Sequence, residues 1–227
     1  MKPAIRIKIC GMKSTDDIKK ASICGADAVG FIVDVPVDTP RKINIQKAAE
    51  LIHSVPLFMD SVLVIMPDSG VQAVSMVETV RPDIVQIHGN INADDLEYMK
   101  NRLDIPIVKT CSVPVGNSES SSGVICEFEN TINNLKNQGL LDAILLDSKT
   151  DTKSGGSGTV HNWEISKTIM NNVDIPVILA GGLNPDNVKE AVQTVFPYAV
   201  DVASGVETNN TKDIDKIHRF IHEARNA

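Results

Sequence analysis

The stretch 175–206, IPVILAGGLNPDNVKEAVQTVFPYAVDVASGV, decides how the chain is read. Pro176–Ala180 is a short apolar run with no polar face, the pattern of a strand covered on both sides. Two glycines end it, and Pro185–Val195 then carries apolar residues at helical spacing. A second apolar run, Ala199–Ala203, follows before another Gly-containing turn. Strand, helix and strand in that order make a right-handed crossover between parallel strands.

The same alternation extends back to the start of the chain. Further strands are expected at Ala4–Cys10, Ala28–Val33, Leu57–Met66, Ile84–His88, Ile105–Thr110 and Asp142–Asp147. Their helices are expected from Thr15, read as the N-cap, to Cys24, then over Ile45–His53, Gly70–Val80 and Ala93–Leu103. Three more follow near Glu127–Asn137, over Trp163–Asn171 and over Lys212–Arg225. Eight βα units in 227 residues suit a closed α/β architecture, the (β/α)8 or TIM barrel, as a single domain spanning 1–227. The rival is an open doubly wound sheet. Its usual Gly-rich turn after the first strand is absent, because Cys10-Gly11-Met12-Lys13 is not GxGxxG.

Composition narrows the partners. The net charge of −7 argues against a nucleic-acid surface, yet a small anion can still be held by local backbone dipoles. No apolar run is long enough for a membrane span, and the first residues lack the apolar core of a secretion signal. Cys10, Cys24, Cys111 and Cys126 form no CxxC pair, so free thiols and a cytoplasmic location are expected. The Ser-rich segment 114–123 reads as an exposed loop or as a lid at the catalytic end. A homodimer is compatible with the chain, although no sequence feature requires one.

In such a barrel the carboxyl ends of the strands carry the chemistry. Here they offer Cys10, Arg41 in the second loop, His88, Lys109, Asp147, the Ala180-Gly181-Gly182 turn and the Ser204-Gly205 turn. The last two turns follow strands seven and eight, where barrels often bind phosphate on backbone N–H groups. Strand alternation puts Lys8 and Cys10 on one face, turned inward, with Ile5, Ile7 and Ile9 against the helices. Closure of the barrel sets strand eight beside strand one. Lys8 and Asp201 are therefore expected to pair near the floor of the site, within about 6 Å.

Seven stretches follow one family order: KICGM at 8–12, GADAVGFIV at 25–33, TPRKI at 39–43, DIVQIHG at 83–89, LLDSKT with GGSG within 145–158, LAGGLNPDNV at 179–188, and DVASGVETNNTKD at 201–213. The chain resembles the phosphoribosylanthranilate isomerases of tryptophan biosynthesis over nearly its whole length. The resemblance implies an Amadori rearrangement with Cys10 as general base and Asp147 as general acid. It also implies Arg41 as anchor for the anthranilate carboxylate, and no metal or organic cofactor. His88 and Asp201 would line the substrate, Gly181, Gly182, Ser204 and Gly205 would hold its phosphate, and Lys8 would support Cys10 as a thiolate. The acid role asks Asp147 to keep a proton, through burial or an anionic neighbour. The chain departs from the usual pattern at Thr39, Ser157 and Asn209-Asn210, none of them chemical positions. Competing readings are another phosphate-binding barrel enzyme acting on a sugar phosphate, such as indole-glycerol-phosphate synthase, and a catalytically silent barrel acting as a binding partner.

Overall fold

A computed structural model describes residues 4–114, 121–149 and 162–227, with the side chains of 114, 121–127 and 149 left aside. Eight parallel strands close on themselves: β1 Arg6–Cys10, β2 Ala28–Val33, β3 Asp60–Ile65, β4 Ile84–Ile87, β5 Ile107–Pro114, β6 Ala143–Lys149, β7 Val177–Leu179 and β8 Ala199–Val202. Each pairs with its sequence neighbours, and β1 pairs with both β2 and β8, which closes the barrel; the two-residue strand Lys42–Ile43 adds to β2 outside it. The helices are α1 Thr15–Cys24, α2 Ile45–Ile52, α3 Gly70–Val80, α4 Ala93–Lys100, α5 Ser121–Asn137, α6 Trp163–Asn172, α7 Val188–Val195 and α8 Ile214–Arg225. This is the expected (β/α)8 barrel. No helix among the described residues is long and apolar enough to cross a membrane.

Strand alternation builds two apolar layers. Ile7, Ile9, Phe31, Leu63, Ile65, Ile144, Leu146, Val200 and Val202 join the layer between strands and helices. Alternate residues point inward, where Val62 and Val64 pack with Cys10 and, on another side, Val108 packs with Leu145. Apolar residues on both faces of a strand thus reflect two separate packing layers, as parallel strands require.

Several boundaries shift for identifiable reasons. Ser14, not Thr15, caps α1: its side chain accepts from the Asp17 N–H while the Asp17 carboxylate accepts from the Ser14 N–H. Helix α8 starts at Ile214 because Asp213 caps it, accepting from the N–H groups of Asp215 and Lys216. Lys212 therefore belongs to a small hairpin, Glu207–Thr208 against Thr211–Lys212, and not to the helix. Its turn residues Asn209 and Asn210 have φ of 51° and 59°, the left-handed pair that a two-residue hairpin turn needs. Strand β5 runs on to Pro114, so Lys109 and Cys111 lie within the strand and not at its end. The 114–123 segment falls largely outside the described residues, as do the glycines of 155–158.

Candidate active site

At the carboxyl end of the barrel a cavity is lined by Cys10 from β1, Arg41 from the loop after β2, His88 after β4, Asp147 from β6 and Asp201 from β8. Gly181, Gly182 and Ser204 complete its far wall. Two residues expected there are placed otherwise. Lys109 points outward, away from the barrel interior, and its ammonium donates to the carbonyls of Gly89 and Thr110. Gly205 does not line the cavity. Its Cα sits so close to the strand-seven loop that a Cβ would come within 1.9 Å of the Leu183 carbonyl oxygen, so glycine is what lets the two loops meet.

Beneath the cavity lies a buried ion pair. Lys8 Nζ is 3.0 Å from Asp201 Oδ2, both residues being buried, and the two are opposite each other in the β1–β8 register. Burial works against the Lys8 charge, but the Asp201 carboxylate and the Cys10 sulfur outweigh it and raise the Lys8 pKa. Lys8 is therefore an ammonium at neutral pH. For Cys10 the expectation of a stabilised thiolate is reversed. Burial raises its pKa above the ordinary value more than the neighbouring Lys8 and Lys212 lower it.

Space for this arrangement comes from Gly30, which pairs with Cys10 across β1 and β2. A Cβ on Gly30 would lie 2.7 Å from Cys10 Sγ and 3.2 Å from Lys8 Nζ. Replacing Gly30 by Ala displaces the thiol, and misplacement on this scale costs about a hundredfold in rate. The expected result for Gly30→Ala is that loss in kcat with an unchanged cooperative melt. Wild-type kcat would contradict it.

Asp147 is partly open to the cavity, with its Oδ1 accepting from the Ser148 N–H and its Oδ2 3.7 Å from His88 Nε2. The burial expected of it is absent. Arg41 is buried and half engaged: its Nε and Nη2 grip Glu207 at 2.9 and 2.7 Å. Glu207 also takes Lys212 Nζ at 2.7 Å, and Lys212 donates a further bond to the Ala203 carbonyl. Sequence reading missed Glu207, Lys212, Gly30 and Gln86. Of these, Gln86 lines the cavity and donates to Thr110 Oγ1 at 3.0 Å. His53, His218 and His222 are exposed, and Cys10, Cys24 and Cys111 are free thiols. Burial pushes the Cys111 thiol up to about 11, which leaves it inert.

The motifs of this cavity are those of one family. N-(5′-phosphoribosyl)anthranilate (PRA) isomerase matches residues 7–223 of the chain. The chain belongs to the PRA isomerase family. The enzyme 1 of that name from Methanosarcina mazei is 49% identical over 98% of this chain and 95% of its own. The Haloferax volcanii isomerase is 41% identical over 98% of this chain and 94% of its own. Among solved structures, the Thermotoga maritima isomerase superposes with a TM-score of 0.81 at 30% identity, covering 98% of this chain and all of that one. Another isomerase structure, with a TM-score of 0.76 and 29% identity over 98% of this chain and all of that one, holds reduced 1-(o-carboxyphenylamino)-1-deoxyribulose 5-phosphate. The protein is a PRA isomerase of tryptophan biosynthesis.

Proposed function

We propose that residues 1–227 act as one catalytic barrel in which Cys10 and Asp147 rearrange N-(5′-phosphoribosyl)anthranilate to 1-(2-carboxyphenylamino)-1-deoxyribulose 5-phosphate. The observation that carries this reading is that a thiol, a carboxylate, a guanidinium and two Gly-bearing turns line one cavity at the carboxyl ends of the strands. The phosphate lies between the Gly181-Gly182 turn and Ser204, whose short 3-10 turn Ser204–Val206 offers backbone N–H donors. Arg41 faces the anthranilate carboxylate, which a guanidinium edge can bind through two hydrogen bonds.

Asp147 delivers its proton to the ring oxygen as the C1′–O bond breaks, and the nitrogen lone pair forms the C1′=N bond. Cys10, as thiolate, then takes the C2′ proton. The C–H electrons form C1′=C2′ while the C=N electrons return to nitrogen, giving the enolamine. Loss of the C2′ hydroxyl proton and protonation at C1′ give the ketone. Because burial raises its pKa, Cys10 rests as a thiol; the reacting form has first released that proton to solvent, and beside Lys8 it is then the stronger base. His88, 3.7 Å from Asp147, lines the route to this acid. Cytoplasmic residence belongs to the same reading, which the free thiols support.

The test is the loss of phosphoribosylanthranilate fluorescence with purified wild-type protein under reducing conditions. Steady consumption is expected, and none would overturn the reading. A homodimer is proposed on one observation: Leu57 and Phe58 stand fully exposed side by side at the amino-terminal face, away from the cavity. Sedimentation at twice the 24.5 kDa chain mass is expected, and a single-chain mass would refute it. A structure of the Thermotoga maritima isomerase describes that protein as dimeric.

A further inference from the structure

Arg41 and Glu207 are 166 positions apart in sequence, yet three hydrogen bonds clamp their side chains together beside the cavity. Glu207 Oε1 and Oε2 accept from Arg41 Nε, and Oε2 also accepts from Nη2. These two nitrogens form the side edge of the guanidinium, so Glu207 fills that edge completely. The end edge, Nη1 and the second hydrogen of Nη2, makes no hydrogen bond to a described residue, and Arg41 lines the cavity. The planar group is thus fixed in one orientation with one bidentate edge free.

Glu207 is itself fixed. Its side chain is buried between Arg41 and Lys212, and Lys212, a buried residue, bonds both Glu207 and the Ala203 carbonyl. Glu207 and Lys212 face each other across the two-residue hairpin, which follows directly on the Ser204–Val206 turn. Three buried charges therefore tie the loop after β2 to the loop after β8. Burial opposes the Glu207 charge, but the hydrogen bonds from Arg41 and the Lys212 ammonium outweigh it and hold its carboxyl below the ordinary range. The hairpin's carboxylate stays ionised.

We infer that Glu207, backed by Lys212, is a positioning residue that aims the free edge of Arg41 at the carboxylate end of the substrate and fixes that end relative to the phosphate turn. This rests on the reading of Arg41 as the carboxylate anchor. A merely structural ion network would affect stability and both ends of the substrate alike. An aiming device affects one end only, and removing uniform binding raises KM with kcat little changed.

The test compares Glu207→Gln, the double variant Glu207→Gln/Lys212→Met and Arg41→Met with wild type. The double variant removes the cation that the single one strands in the interior, so it keeps a folded protein to measure. Readouts are KM and kcat for phosphoribosylanthranilate, inhibition by anthranilate, inhibition by inorganic phosphate, and thermal melting. For both Glu207 variants KM should rise about tenfold, as expected for loss of one charge-assisted contact, and anthranilate inhibition should weaken to match. Phosphate inhibition should stay within about twofold, and the double variant should melt closer to wild type than the single one. Equal weakening of anthranilate and phosphate inhibition, or unchanged KM in the double variant, would overturn the inference. Unchanged anthranilate inhibition in Arg41→Met would instead overturn the anchor reading beneath it.

Discussion

Cys10→Ala should lose turnover by roughly 10²–10⁴-fold, the usual contribution of a positioned general base. The side chain is small and buried, and it packs in the inner layer with Val62 and Val64. Removing one sulfur there leaves the Lys8–Asp201 pair and the barrel closure in place. Binding should therefore survive. Calorimetry with the reduced product analogue should give wild-type affinity within a few-fold, because the groups assigned to the phosphate and carboxylate ends are untouched. Turnover near wild type would refute the base role. Joint loss of turnover and binding would show that Cys10 holds the cavity open instead.

Asp147→Asn should cripple turnover to a similar extent, about 10²–10⁴-fold. The amide is nearly isosteric and can still accept the Ser148 N–H at its oxygen, so the strand end keeps its geometry. What it cannot do is deliver a proton to the departing ring oxygen. Only the step that opens the ring is lost, so the analogue, which is already open, should bind as before. A fall of less than about threefold would move the acid elsewhere in the cavity, with His88, 3.7 Å away, as the first group to test.

Much of this arrangement was legible in the sequence because periodicity alone decides which way a strand residue faces. Lys8 and Cys10 alternate to the inward face, Asp201 and Ala203 do so on the last strand, and closure of eight strands makes those strands adjacent. The 3.0 Å Lys8–Asp201 pair follows from that reasoning. The same rule corrects the reading of Lys109, whose parity in β5 matches the outward-facing Ile107 and Cys111. What stayed hidden was set by contacts between distant residues. No local pattern reports that Glu207 clamps Arg41. Helical periodicity alone carries α8 back to Lys212, although Asn209-Asn210 is a hairpin signal and Asp213 a cap. The direction of the Cys10 shift also depends on burial from all sides, which a neighbouring Lys8 in sequence does not reveal.

The most direct measurement is the fluorescence decay of phosphoribosylanthranilate at saturating substrate with wild type, Cys10→Ala and Asp147→Asn side by side. Steady decay is expected from the wild type alone, with each variant slower by about a hundredfold or more while all three bind the reduced product analogue. Wild-type decay from either variant would contradict the assignment of base and acid to these two residues.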